Sequence, residues 1–174
     1  MVAIALFALA NSSDAFLILQ AHAAGVSVAM LPLLWAAHHV VKSLFSTQAG
    51  ALSDRVGRRK MLAAGWICYA IIYALFPLAQ SLPAFIALFV AYAIPFTLTE
   101  GAERALISDL VPAVSRGKGF GIYYLVTGMG VLAGSTLFGL LYQNVSAPAA
   151  FMTGGALAVT AAVALAAPRH PEAA

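Results

Sequence analysis

Charged residues are scarce in this chain. Only 9% of its 174 residues are Asp, Glu, Lys or Arg, whereas soluble domains carry about 25%. Hydrophobic residues make up 63% of the chain, and its mean hydropathy is +0.94. A chain of this composition lacks the polar surface that a water-soluble protein needs, so the composition predicts a membrane protein.

The sequence also lacks the patterns that most catalytic or metal-dependent chemistry requires. Its single cysteine, Cys68, cannot form an intrachain disulfide. There is no H-E-x-x-H metal pattern and no G-x-x-x-x-G-K-[ST] phosphate loop, and no basic stripe suits nucleic acid. The groups that an intramembrane enzyme would use, at Ser12, Ser13, His38 and His39, are too dispersed. We therefore expect no enzyme activity, no metal, no cofactor and no nucleic-acid partner.

Six apolar runs, each long enough to cross a bilayer, dominate the chain. A helical span needs roughly 20 apolar residues, and continuous runs favour helices over the alternating pattern of a membrane barrel. The runs are Met1–Gln20, Val28–Ala51, Met61–Ala79, Pro83–Ala102, Gly117–Tyr142 and Pro148–Ala167. The sequence thus predicts an all-α membrane protein, with a six-helix transmembrane unit over residues 1–167 and a short tail over 168–174.

The basic residues predict how these spans are oriented. They occur in or beside the second and fourth connections and are absent from the first, third and fifth. They are Arg55, Arg58, Arg59, Lys60, Arg104, Arg116 and Lys118, and Arg169 follows the last span. Because Lys and Arg concentrate in cytoplasmic loops, we expect the even-numbered connections and both termini to be cytoplasmic. The alanine-rich composition and the lack of eukaryotic signals favour a bacterial inner membrane.

A densely charged, glycine-punctuated turn, Gly50–Lys60, separates the second and third apolar runs. We expect Gly50 to permit close helix packing, Asp54 to accept hydrogen bonds from backbone N–H groups, and Gly57 to permit a tight reversal. The ordered series resembles the G-x-L-x-D-R-x-G-R-[RK] loop of the major facilitator superfamily of transporters. The matching residues are Gly50, Asp54, Arg55, Gly57, Arg58 and Arg59.

The remaining segments agree with this resemblance in the order in which they occur. The stretch Glu103–Pro112 is similar to the connection between the fourth and fifth helices of a facilitator half, and the first span is similar to the opening helix of a second half. The resemblance therefore implies a C-terminal six-helix half, built as a 3+3 inverted repeat. Such a half moves a small solute by secondary active transport through alternating access, together with a second six-helix half or another copy of itself.

The resemblance also implies a role for the charged connections. Asp54 and Arg58 would join Glu103, Arg104 and Arg116 in a cytoplasmic charge network that closes the inner gate in one state. The alternative is a non-transporting membrane scaffold or interaction subunit derived from such a half. Buried ionisable groups argue against an inert scaffold, because a purely structural bundle gains nothing from them.

Polar residues at membrane depth are the candidates for a substrate or proton path. Asp14 and Lys42 lie well inside their spans, where we expect them either to pair with each other or to face a water-filled cavity. His38 and Lys42 share one face of the second span. The resemblance places the first and fourth spans on the cavity. The full set of candidates is Asn11, Asp14, Gln20, His38, Lys42, Tyr92, Thr97 and Glu100.

Two helix-shaping features complete the prediction. Gly130 and Gly134 form a G-x-x-x-G pair, which permits close approach of a neighbouring helix. Pro95 removes one backbone hydrogen bond from the fourth span and allows it to bend.

Overall fold

The computed structural model describes residues 1–11 and 14–167. The predicted tail over 168–174 lies outside these residues, as do Ser12 and Ser13. The described chain forms eight α-helices and short 3₁₀ turns at Val28–Met30, Phe76–Leu78 and Ala113–Ser115. The helices are α1 (Val2–Ala10), α2 (Ala15–Ala23), α3 (Leu31–Val56), α4 (Arg58–Leu75), α5 (Leu82–Ala91), α6 (Ala93–Leu110), α7 (Arg116–Asn144) and α8 (Ala147–Ala166).

These helices make up six segments long and apolar enough to cross a membrane, which confirms the predicted number of spans among the described residues. The segments are Val2–Ala23, Val28–Val56, Arg58–Leu78, Leu82–Leu110, Ala113–Asn144 and Ala147–Ala166. The first segment comprises α1 and α2, and the fourth comprises α5 and α6. The protein is therefore an all-helical, multi-pass membrane protein.

The second and fourth connections are much shorter than predicted. Helix α3 continues to Val56 and α6 continues to Leu110, so residues expected in loops lie on helix ends. Charge marks where a span leaves hydrocarbon, but the backbone bonds of a helix are also satisfied in water, so the helix does not stop there. The turn between α3 and α4 is reduced to Gly57, whose positive φ of 93° favours glycine, as predicted.

The first span is interrupted where it was expected to be continuous. Helix α1 ends at Ala10 and α2 begins at Ala15. A helix end inside a membrane leaves carbonyl groups that need a partner. The Tyr69 hydroxyl on α4 donates to the Ala10 carbonyl over 3.2 Å, so α4 satisfies one of them.

The fourth span is interrupted at Tyr92, between α5 and α6. Pro95 lies one turn further along. It has no N–H group with which to close the helical hydrogen bond to the Ala91 carbonyl. The interruption therefore lies where the proline removes a bond, in agreement with the expected bend.

Helix α4 is the centre of the core. It contacts α6 and α8, and α1 lies against α7 and α8. The ring of Phe7 stacks on Trp66 with centroids 4.8 Å apart, and Tyr69 stacks on Tyr73 at the same separation. Tyr73 in turn contacts Phe151 of α8. Aromatic side chains of the first and sixth spans thus interlock with those of α4.

Glycines allow the closest helix contacts, as predicted for the G-x-x-x-G pair. A side chain at Gly130 would meet Ala8, and one at Gly134 would collide with the Leu9 carbonyl. Both glycines therefore let α7 approach the backbone of α1. The same expectation for Gly50 was wrong, because nothing lies within 4 Å of the position that its Cβ would occupy.

We expect Gly134→Ala to destabilise the folded chain. The added methyl group would overlap the Leu9 backbone, and overpacking typically costs about 1–3 kcal/mol. Thermal unfolding of the purified chain in detergent measures the effect. Gly128→Ala is the matched control, since it lies on the same helix with open space around it and should gain up to about 1 kcal/mol from helix propensity. Equal midpoints for the two variants would contradict the packing assignment.

Candidate functional site

A polar groove lies between α3 and α6, within the membrane-spanning segments. Helix α3 contributes Lys42, Ser43 and Ser46, and α6 contributes Thr97, Glu100 and Arg104. These positions recur at intervals of three and four residues, so each set occupies one face of its helix. The groove has a volume of about 320 Å³.

Charged side chains meet across this groove. Lys42 Nζ lies 2.7 Å from Glu100 Oε2, and Arg104 Nη2 lies 2.7 Å from Glu100 Oε1. Each carboxylate oxygen therefore has its own cation. The three side chains remain 26%, 38% and 55% exposed for Lys42, Glu100 and Arg104, respectively. Ions that are this accessible cannot face lipid tails, so the groove must face water or protein.

Lys42 is far from either end of its span. It lies nine residues before Ala51, where the apolar run ends, which corresponds to roughly 14 Å along the helix. A cation near the middle of a helical span costs on the order of 2.5–3.5 kcal/mol on insertion scales. Glu100, which contacts it from α6, offsets part of that cost.

The predicted pair of Asp14 and Lys42 does not form. Lys42 binds Glu100 instead, and Asp14 accepts a hydrogen bond from the Tyr92 hydroxyl over 3.4 Å. Asp14 is exposed at the start of α2, opposite the interruption in the fourth span. The acid thus joins the two interrupted spans. It has a protein partner without being sealed inside the bundle.

Three candidates for the path are buried in the six-helix unit, contrary to expectation. Gln20 donates from Nε2 to the Phe76 carbonyl over 3.3 Å, which ties α2 to the end of the third span. Tyr92 is enclosed by aromatic rings. His38 is also buried, and its Nδ1 has no hydrogen-bond partner among the described residues, whereas the neighbouring His39 is exposed.

Helical periodicity predicts which residues share one face of a helix, but it does not predict which neighbouring helix covers that face. His38 packs between Trp35 and Phe89, so its face turns toward α5. Thr97 does line the groove, although its hydroxyl donates to the Ala93 carbonyl one turn back. Asn11 is half-buried at the end of α1.

At the end of the bundle where α3 meets α4, Arg58 forms a second charged cluster. It binds Asp109 of α6, donates to the Ala105 carbonyl over 2.7 Å, and lies 3.7 Å from Asp54. Asp109 was not among the predicted site residues. The sequence does show an acid at this position, in the segment that the resemblance assigned to the fourth connection. The spacing of residues does not show that Arg58 is its partner.

The predicted charge network therefore has different members. No ion pair among the described residues joins Glu103, Arg104 or Arg116 to Arg58. Arg104 instead binds Glu100 in the groove, and Glu103 is buried within reach of the Tyr123 hydroxyl. Helix α6 continues to Leu110, so Glu103 and Arg104 lie on different faces of α6, and Arg116 begins α7.

The roles of the other motif residues also change. Asp54 was expected to accept from backbone N–H groups, but α4 has no side-chain cap and Asp54 faces Arg58. Arg55 is exposed at the end of α3. Arg59 donates to the Leu165 carbonyl over 2.6 Å, which places the end of the last span beside the connection between α3 and α4.

The geometry offers ion pairs and a solvent-accessible groove. Among residues 1–11 and 14–167, no three His, Cys, Asp or Glu side chains gather in a way that could hold a metal ion. The site is suited to binding a charged or polar solute reversibly.

A comparison with protein-family models places the whole chain in one family. The model of the Major Facilitator Superfamily matches residues 1–174. This chain belongs to the major facilitator superfamily. The resemblance drawn from Gly50–Lys60 is thereby confirmed.

Curated relatives agree with the family assignment. The chain is 32% identical over 161 residues to the uncharacterized MFS-type transporter MJ1317 of Methanocaldococcus jannaschii, an alignment that covers 89% of this chain and 40% of the relative. It is 28% identical over 128 residues to the uncharacterized MFS-type transporter YqjV of Bacillus subtilis, covering 74% and 31%. It is 24% identical over 103 residues to the riboflavin transporter RibZ of Clostridioides difficile, covering 59% and 23%. The matched region is thus less than half the length of each relative.

A double-mutant cycle should separate the partners of Arg58. We expect Arg58→Gln and Asp109→Asn to couple by about 0.2–1 kcal/mol, the range for exposed ion pairs, because their side chains are in direct contact. Coupling between Arg58→Gln and Asp54→Asn should be smaller, since that pair is 3.7 Å apart and Asp54 is the more exposed acid.

Reversible unfolding of the purified chain in detergent measures both couplings, and added salt should reduce them. A larger coupling for Asp54 than for Asp109 would refute the assignment of Asp109 as the main partner.

Proposed function

We propose that this chain is one six-helix unit of a secondary transporter that moves a small solute across the membrane by alternating access. The observation that carries the proposal is the charged groove between α3 and α6. Lys42, Glu100 and Arg104 remain accessible at membrane depth. Transporters of this superfamily place their solute sites near the bilayer midplane, and the family match supports membrane transport as the general activity.

An inert scaffold is a poorer account of the groove. A structural bundle gains little from three accessible charges at this position, because hydrocarbon disfavours ions there. Their presence therefore favours a role in binding. Exposed pairs of this kind contribute about 0–1 kcal/mol, so small rearrangements can exchange them.

The proposal includes a second six-helix unit, either another half or another copy of this chain. Each span contains an apolar stretch of 18 residues. Only 11% of that stretch is buried in the second and fifth spans, against 31–44% in the other four. Both spans also present large apolar side chains outward, among them Leu44 and Phe45 on α3 and Leu125 and Leu132 on α7. A partner unit that covered these faces would bury the exposed apolar side chains.

We further propose that the cluster around Arg58 lies on the cytoplasmic side of a bacterial inner membrane. Contacts from Arg58 to α6 and from Arg59 to α8 gather the second connection, the fourth connection and the end of the last span at one end of the bundle. That end carries most of the chain's basic residues, which supports a cytoplasmic position. The inverted repeat and the cytoplasmic termini belong to the same proposal.

Reconstitution tests the proposal directly. Purified chain in liposomes, alone and together with a candidate first half, should give solute flux in at least one of the two preparations. Flux from the chain alone supports self-association, and flux only from the mixture identifies an incomplete unit. The control is Lys42→Gln, which removes one of the two groove cations and should abolish the flux. Absence of flux from both preparations, with the protein folded, would favour the scaffold instead.

We predict that Asp14 couples transport to protons. Asp14 is an exposed residue whose partly buried carboxylate meets Tyr92 where both spans are interrupted, so a proton can reach it without unfolding the bundle. Asp14→Asn should abolish uptake driven by a pH gradient and preserve solute exchange, both measured in liposomes. Tyr92→Phe is the matched control, because it removes the hydrogen bond and keeps the acid. Unchanged dependence on the pH gradient in Asp14→Asn would end this assignment.

A further inference from the structure

The groove between α3 and α6 contains more positive than negative charge. Its lining includes two cations, Lys42 and Arg104, and one carboxylate, Glu100. Other acids nearby face elsewhere. Glu103 lies against Tyr123 and Asp14 lies against Tyr92. With its single carboxylate ionised, the groove carries a net charge of about +1.

The two cations also keep hydrogen-bonding capacity that Glu100 does not use. An ammonium has three donors and a guanidinium has five. Glu100 contacts one terminal nitrogen of each, at 2.7 Å in both cases. The remaining N–H groups are accessible from the groove, because both side chains are partly exposed. An incoming oxyanion can therefore bind beside Glu100 without displacing it.

The rest of the lining is mixed in character. Phe96 presents an aromatic ring, and Ser43 and Ser46 contribute hydroxyl groups. A ligand that fits this lining has one anionic group and a compact apolar body. A carboxylate, with a single negative charge, neutralises the groove, whereas a phosphate ester carries about −1.5 to −2 at pH 7 and would leave it negative.

We propose that this groove recognises small monocarboxylates, whose carboxylate binds Lys42 and Arg104 together beside Glu100. The assignment of the monocarboxylate as the transported solute rests on the proposed transport function. Binding itself does not, and it can be measured without flux. Glu100 determines which anions bind. With its negative charge in place, the groove is neutralised by a ligand that carries one negative charge and not two.

Equilibrium binding to the purified chain in detergent at pH 7 tests the proposal with matched aromatic probes. Benzoate should bind at least about tenfold more tightly than benzamide, which is its neutral counterpart, and more tightly than phenyl phosphate. Lys42→Gln should weaken benzoate binding about tenfold or more. Lys118→Gln, which removes an exposed lysine at the start of α7 outside the groove, should leave it unchanged.

Glu100→Gln provides a readout that misfolding cannot imitate. Removing the resident negative charge should tighten anion binding, with a larger gain for phenyl phosphate than for benzoate. Weaker binding of both anions in Glu100→Gln, or equal binding of benzoate and benzamide to the unmodified chain, would overturn the proposal. So would tighter binding of phenyl phosphate than of benzoate.

The two proposals fail separately. Benzoate binding that depends on Lys42, in a protein that gives no flux with any partner, would support the site and reject transport. Flux of neutral solutes that benzoate does not inhibit would keep transport and reject monocarboxylate recognition.

Discussion

Hydrocarbon solvates neither ions nor unpaired backbone groups, and this constraint explains how the ions and the broken helix ends of this bundle are placed. Each intramembrane ion costs several kilocalories per mole unless protein or water compensates it. Lys42 and Arg104 are compensated by one shared carboxylate. The Ala10 carbonyl, left free where α1 ends, is compensated by Tyr69. The ion pairs of Lys42 and Arg104 stay accessible, whereas the hydrogen bond to the Ala10 carbonyl is buried. Accessibility distinguishes a surface that can bind a ligand from a purely structural contact.

Sealed contacts concentrate in one part of the bundle. Helices α1, α4 and α8 meet through glycines and interlocked rings, as where Gly154 lies against Tyr73. A packed interface of this kind cannot deform gradually, because every atom already has close neighbours. Helix α3 is attached differently, mainly along α6 and through accessible ions. Helix α3 is therefore held less by sealed packing than the helices of the aromatic core.

The sequence was sufficient to predict the six spans because hydropathy is a property of each segment alone. Gly57, Gly130 and Gly134 were also predictable, since a reversal and a close approach each require the absence of a side chain. Pairings between spans were not predictable in this way. Asp109 and Glu100 became the partners of Arg58 and Lys42 only through the rotation of α6, and a shift of one residue rotates a helical side chain by about 100°. On α3, the same angular step between neighbouring residues buries His38 and leaves His39 exposed.

Helix α6 links the two charged clusters physically. Arg104 faces the groove, and the carbonyl of the next residue, Ala105, accepts from Arg58. One turn further, Asp109 binds the same arginine. A helix of this length transmits axial shifts because its hydrogen bonds resist compression within the element. A displacement of α6 relative to α3 changes the contact between Glu100 and Lys42. The same displacement changes the contacts that Arg58 makes with Ala105 and Asp109. The groove and the cluster around Arg58 are therefore not independent, because both depend on the position of α6.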